Sequence, residues 1–271
     1  MILINRGLIQ IYADKFNLPT FLSASIRIYL RLIVISMELF YTDPQNINST
    51  TAEFDRFETQ HILKTLRKKK GDSINFTDGQ GKLYSGIIES LRPMVKVNYS
   101  LVQELSPPSV SISLAVSFIR PTRMDFIIEK GTELGVQKFY LLTTHYSNYF
   151  TPNTLHWHKI ARQAIKQSLR FFMPEIVVVN SLHNFMALLP PAAVKIVFDQ
   201  NAVMPLAEIL YRPDSLASTK IIFLIGPEGG LTKEELEIVR DHDFQLVSLG
   251  KFRLRSETAA LMAAAAGLFI K

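Results

Sequence analysis

Two styles of hydrophobic patterning divide the chain. From 54 to about 104, in HILKTLRKKKGDSINFTDGQGKLYSGIIESLRPMVKVNYSLV, short β-rich runs alternate with Gly-Asp, Asp-Gly and Gly-Lys turn signals. This predicts a small barrel or sandwich of short strands, entered through a helix around 58–66. After 110 the apolar runs become compact and uniform: SISLAVSF, KFYLLTT, IVVV, VKIVF, KIIFLI and FQLVSL. Strands without alternation are usually covered on both faces, as in a parallel sheet. Between the first two, PTRMDFIIEKGTELGV sets Met124, Ile127, Ile128 and Leu134 at helical spacing, with Thr122 and Asp125 where an N-terminal cap belongs and Gly135 where a C-terminal one does. A second helix is predicted over 154–170. The stiff LSPPSV (105–110) separates the two styles and is the expected linker. The second part therefore reads as α/β.

Composition narrows the class. Of 271 residues, 48% are apolar and 20% charged, enough for one large or two ordinary domains with real cores. No cysteine is present, which removes disulfides, thiolate metal sites and a cysteine nucleophile together. No histidine pair has H-E-x-x-H spacing, so no metal is expected. No apolar run reaches the roughly 20 residues of a membrane span, and a cytoplasmic protein is expected. Residues 1–36 look foreign to the rest. FLSASIRIYLRLIVISM is interrupted by Arg27 and Arg31 and lacks a small-residue cleavage site, whereas MELFYTDPQ from Met37 reads like a natural start. Residues 1–36 are read as a non-native or mis-assigned extension.

The net charge of +6 is unevenly spread. Residues 37–104 balance nine basic against nine acidic groups, while 120–175 carry eight against four. In the 154–170 helix, Trp157, Ile160, Ala161, Ala164 and Ser168 form the stripe expected to pack. Lys159, Arg162, Lys166 and Arg170 share another face, suited either to phosphates or simply to solvent. KTLRKKK (64–70) is a second basic cluster with the same two readings. Two such clusters on either side of the linker suggest a nucleic acid clamped between the domains.

Chemistry concentrates at two strand-to-helix junctions. In IIFLIGPEGGLTKEELEIV (221–239) a strand runs into Gly226-Pro227-Glu228-Gly229-Gly230, and Thr232 with Glu235 forms a capping box. The pentapeptide is neither a dinucleotide fingerprint nor a P-loop. The acids of the following helix would repel a phosphate, so a tight turn or a site for a neutral or cationic ligand remain the two readings. FQLVSLGKFRLRSETAALMAAAAGLF repeats the plan: strand, Leu249-Gly250, a loop crowded by Arg253 and Arg255, then a helix capped by Ser256 and opening with Glu257. The alanine run fits either close backbone approach or high helix propensity. Two loops at neighbouring strand ends are where α/β sheets bind ligands.

LIGPEGGLTKEE together with LGKFRLRSETAALMA resembles the paired cofactor loops of the SPOUT methyltransferases, and more narrowly of the RsmE-type 16S rRNA uridine-N3 methyltransferases. RMDFIIEKGTELGV, HKIARQAIKQSLR and HILKTLRKKKGDSINFTDGQG are similar to the same family, in its order, from Met37 to Lys271. Phe252 stands where a polar or small residue is common, Ser256 replaces the usual threonine and Leu169 a frequent glycine. The resemblance implies a trefoil-knotted parallel sheet flanked by helices (107–271) behind a PUA-like β-barrel (37–106). It implies a homodimer acting on 16S rRNA of the small ribosomal subunit. S-adenosylmethionine is expected against Leu224, Ile225, Gly226, Glu228, Gly229, Gly230, Leu249, Gly250, Phe252, Leu254 and Arg255. RNA is expected on Arg67, Lys68, Lys69, Arg123, Arg162, Lys166 and Arg170. Uracil N3 must lose a proton before it attacks a methyl group. Arg255 is the candidate for stabilising the resulting charge, and Glu257 or Glu228 for taking the proton. Glu257 fits helix capping equally well, and Glu228 fits a role confined to holding the loop. Ribose 2′-O-methylation, or RNA binding without catalysis, are the competing functions.

Overall fold

The computed structural model describes residues 38–210 and 220–268, and the 1–36 extension lies outside them. The first sheet is built from β1 (Leu39–Tyr41), β2 (Thr51–Glu53), β3 (Ser73–Thr77), β4 (Lys82–Ser90) and β5 (Lys96–Glu104). Its order is β1-β3-β4-β5-β2, a half-barrel in which β1 runs parallel to β3 and the other pairs are antiparallel. A short helix, α1 (Arg56–Gln60), widens into a looser turn over His61–Thr65 and covers one face. Phe40, Phe54, Ile62, Phe76 and Val97 fill the space between, with the rings of Phe76 and Tyr84 stacked at 5.0 Å. The predicted Asp-Gly turn is anchored from within. The buried Asp78 accepts from the Gln80 amide at 2.8 Å and from the Tyr84 hydroxyl at 3.0 Å.

The second sheet has six strands: β6 (Ser111–Ser117), β7 (Lys138–Leu142), β8 (Glu175–Val179), β9 (Val194–Phe198), β10 (Lys220–Ile225) and β11 (Gln245–Val247). All pairings are parallel, in the order β11-β9-β10-β6-β7-β8. Among the described residues five helices connect them, α2 (Pro121–Leu134), α3 (Thr154–Gln167), α4 (Leu182–Ala187), α5 (Leu206–Leu210) and α6 (Lys233–Asp241), and α7 (Ser256–Gly267) follows the last strand. As the uniform strands imply, both faces are covered. Leu114, Val116, Phe139, Ile221 and Phe223 meet Ile127, Ile128 and the alanines of α7 on one side. Ala115, Tyr140, Leu142 and Leu224 meet Phe185, Val239 and Phe244 on the other. Ala259, Ala260, Ala263 and Ala264 are all buried, so the run in α7 serves close packing. Gly131 does the same for α2, since a Cβ there would stand 2.9 Å from the Phe139 ring.

Three local expectations change. The α2 N-cap position belongs to Arg120, with Pro121 at the first helical position, and no side chain caps the end. Asp125 instead accepts from the Trp157 indole at 3.1 Å and meets His156 Nε2 at 3.0 Å, which pins α3 to α2. Gly135 does end α2 in the left-handed region, at φ +90°. The second helix stops at Gln167, and Leu169 turns the chain at φ +52°.

The larger correction concerns the basic face of α3. Arg162 lies against Asp55, with Asp43 3.7 Å away and the Tyr41 ring beneath its guanidinium. Lys166 donates to Glu58 at 2.7 Å, where the lysine side chain is 11% exposed and the glutamate 0%. Arg170 is half-buried and donates to the Glu133 carbonyl at 2.8 Å, and desolvation holds its pKa below the ordinary value. Arg162 and Lys166 join the two sheets, while Arg170 ties the end of α3 to α2 within the second. Burial pushes the Glu58 carboxyl up, and Lys166 pulls against that shift. Main-chain bonds reinforce the seam: the Gly81 amide donates to the Phe171 carbonyl at 2.7 Å and the Met173 amide to the Gly79 carbonyl at 2.8 Å. Removing one partner of a buried pair strands the other, at a cost of about 3–5 kcal/mol. Lys166→Met should lower unfolding free energy in urea by that order, and adding Glu58→Gln should restore most of it. Unchanged stability in Lys166→Met would show that the pair does not hold the seam.

Candidate active site

The site grows from the ends of β10 and β11, which are not the neighbours the sequence suggested, because β9 lies between them. Ile225, the last residue of β10, pairs with Val116 of β6, so the glycine loop leaves the middle of the sheet at its C-terminal edge. The Gly230 amide closes a turn on the Pro227 carbonyl at 2.9 Å, and Gly230 takes φ +76°. The capping box then starts α6 as predicted: the Glu235 amide donates to Thr232 Oγ1 at 3.2 Å and the Thr232 amide to Glu235 Oε2 at 2.9 Å. Glu235 Oε1 also accepts from the His145 amide at 2.7 Å, tying this loop to the end of β7. The second loop leaves β11 at the edge of the sheet and passes Gly250 at φ +128°. An open cleft of about 1000 Å³ borders the first loop, between Gly229, Thr232, Thr144, His145 and Ser181.

What brings the loops together is a set of cross-ties. Ser256 is expected to cap α7; instead it sits at the first helical position, and its hydroxyl donates to the Gly226 carbonyl at 2.9 Å. Arg253 donates through Nη2 to the Glu228 carbonyl at 2.7 Å. Arg123, from the first turn of α2, donates to Glu228 Oε1 at 2.8 Å and lies 3.5 Å from Glu257 Oε1. One guanidinium thus holds two carboxylates from two different loops. Glu257 is 13% exposed, and its Oε2 is buried with no hydrogen-bond partner among the described residues. Arg255 reaches within 4.0 Å of Glu257 Oε1 while remaining 73% exposed.

The predicted residues separate into groups. Gly226, Glu228, Gly229, Gly230, Leu249, Gly250, Leu254, Arg255 and Glu257 lie on the two loops or at the start of α7, and Arg123 joins them. The Leu224 and Ile225 side chains are core, leaving only main chain to offer. The Phe252 side chain points into solvent. Arg67 and Lys69 are exposed beyond the first sheet, with Lys68 3.3 Å from Glu38. Sequence reasoning missed the bridging role of Arg123 and the carbonyl tie of Arg253. Neither has a spacing signature, because their partners lie 105 and 25 residues away.

A bent methyl donor with an adenine ring needs bare main-chain donors and acceptors, apolar walls and room. A Cβ built at Gly230 or Gly250 would meet nothing within 4 Å, so both loops present open backbone. Leu249 and Leu254 are half-buried apolar walls beside it. The unpartnered Glu257 oxygen is a further acceptor. These residues fit such a ligand.

The comparison with known proteins places this parallel α/β sheet, with glycine loops at the C-terminal ends of β10 and β11, in a methyl-transferring enzyme family. Residues 106–267 match the family model described as RNA methyltransferase domain, and the chain belongs to that family. Among its relatives, the ribosomal RNA small subunit methyltransferase E of Rickettsia conorii is 29% identical, covering 81% of this chain and 92% of the relative. The protein of the same name from Synechocystis is 27% identical over 82% and 74%. The crystal structure of a ribosomal RNA small subunit methyltransferase E from Neisseria gonorrhoeae bound to S-adenosyl methionine superposes with TM-score 0.72 at 28% identity. It covers 85% of this chain and 96% of that one.

Deleting the Ser256 hydroxyl leaves the Gly226 carbonyl without its partner. Ser256→Ala should cost about 1 kcal/mol of unfolding free energy, and Ser256→Thr should cost less than half of that. Urea denaturation of the three proteins checks this, and equal stability of all three would remove the tie from the account.

Proposed function

We propose that this protein methylates N3 of a uridine in 16S rRNA of the small ribosomal subunit, using S-adenosylmethionine. The observation that carries the reading is the hydroxyl tie between Ser256 and Gly226, which sets two open glycine loops against each other in a chain of the RNA methyltransferase family. The names of the relatives and the bound ligand of the Neisseria protein support the substrate and the cofactor. When bound, the cofactor supplies an electrophilic methyl group.

This chain's residues supply the rest. The main chain at 226–230 and 249–254 holds and orients the donor. Uracil N3 is acidic only at high pH, so the N3–H bond must break as the lone pair becomes available. Glu257 Oε2 is the acceptor for that proton: it is recessed and makes no hydrogen bond, whereas Glu228 Oε1 is engaged by Arg123 at 2.8 Å. Arg255, exposed beside Glu257, stabilises the charge that spreads onto the flanking uracil carbonyls. Arg123 holds both carboxylates beside the two loops.

The reading extends to assembly. Residues 37–106 form the PUA-like barrel that helps hold RNA through Arg67, Lys68 and Lys69, and 107–271 the catalytic unit. The return of the chain from edge strand β11 to α7, packed on β6 and β10, supports reading this unit as a trefoil knot. Two copies associate in the cytoplasm, and the exposed Phe126 on α2, Met262 in α7 and Leu268 just after it support a homodimer.

Arg255→Ala should lower kcat by about 10²- to 10³-fold with circular dichroism unchanged. Tritiated methyl transfer to small subunits from a strain lacking this protein measures the rate, and mass analysis of the product locates the methyl group. Full turnover in Arg255→Ala removes that residue from the mechanism; a methylated ribose overturns the N3 assignment.

A further inference from the structure

Phe252 is 85% exposed, against 42–53% for Phe57, Phe126, Tyr146 and Phe150, the other strongly exposed aromatics of the described residues. It makes none of the ring contacts found there; Phe150, by comparison, meets Phe118 edge-to-face at 5.1 Å. Yet its loop is not loose. Ser248 Oγ accepts from the Gly250 amide at 3.2 Å before it, and Arg253 and Ser256 are tied to the glycine loop after it. An aromatic ring is therefore held out in water at the tip of a loop fastened on both sides. Burying such a ring is worth about 1.5–3 kcal/mol, which the chain alone does not recover. Lys251, Arg253 and Arg255 alternate around it, all exposed. An aromatic among cations is the combination that receives single-stranded nucleic acid, the ring on a base face and the cations on the backbone.

We infer that Phe252 stacks on a nucleobase beside the uridine being modified. The inference rests on the proposed RNA methylation and deepens it. N3 lies on the pairing edge of uracil, so the target base must be unpaired, and drawn out of its stack, before that atom can react. Removing one base from a stack exposes the face of its neighbour. Phe252 leads directly into Arg253, which bonds the Glu228 carbonyl at the rim of the site, so its ring is positioned to cover that face. The contribution of Phe252 to the site is then a side chain for RNA, while its main chain remains part of the loop facing the cofactor.

The test compares Phe252→Ala, Phe252→Leu and Phe252→Trp on small subunits lacking the methyl group. Stacking of about 1–3 kcal/mol per base predicts that KM for subunits rises about 5- to 150-fold in the alanine and leucine variants and stays within about twofold in the tryptophan variant. KM for S-adenosylmethionine and the sedimentation coefficient should not change. Leucine behaving like the wild type would overturn the inference, because it keeps apolar area without a π-face. A parallel rise in KM for S-adenosylmethionine would make Phe252 a cofactor contact, and an altered sedimentation coefficient a contact between copies; either overturns it. Binding is read separately from turnover. Trp157 is the single native tryptophan and is buried, so the indole added by Phe252→Trp reports on its own surroundings. A single-stranded uridine-containing RNA dodecamer should quench it; unquenched emission at saturating RNA contradicts stacking. Wild-type protein that binds this RNA but methylates no subunits would overturn the function proposed above while leaving the quenching result to stand.

Discussion

The hydroxyl of Ser256 on the carbonyl of Gly226 is the contact on which the site depends. A loop that offers main-chain atoms to a ligand cannot use those atoms to stabilise itself, so its shape must be imposed from outside. Here β10 and β6 set where the first loop begins, and three side chains from elsewhere hold its end: Ser256, Arg253 and Arg123. The result is backbone that is open at Gly230 and Gly250 and still fixed in place.

Electrostatics follow from the same arrangement. Glu228 and Glu257 would repel each other without the guanidinium of Arg123 between them. With it, both carboxylates can lie close together between the two loops, and one oxygen of Glu257 is left without a partner among the described residues. Buried unpartnered polar atoms are costly and rare in folded proteins, and they concentrate where a ligand or reaction uses them. The seam between the two sheets spends its charges on each other: Lys166 engages Oε1 of the buried Glu58, and the pair holds the two sheets together.

Much of this was legible in the sequence because it is written locally. Uniform apolar strands announced a sheet covered on both faces, the Thr232–Glu235 box announced the start of α6, and Gly135 the end of α2. The GPEGG and LGKFRLR loops could be placed at strand ends because glycine and flanking apolar runs are short-range signals. What could not be read were pairings between distant residues. The stripe of Arg162, Lys166 and Arg170 has the spacing of a surface face, and only the fold shows Asp55, Glu58 and the Glu133 carbonyl waiting opposite it. Ser256 had the position of a cap, and only the adjacency of β10 to its helix turns it into a tie. Asp125 likewise resembled a cap until Trp157 came within reach.

Calorimetric titration with S-adenosylmethionine, run on the wild type and on Arg123→Ala, addresses the central claim most directly. The account predicts saturable binding near one molecule per chain in the wild type, weakened at least tenfold when the guanidinium that holds the two loops is removed, about 1.4 kcal/mol or more. Absence of binding to the wild type, or equal affinity in the two proteins, would contradict it.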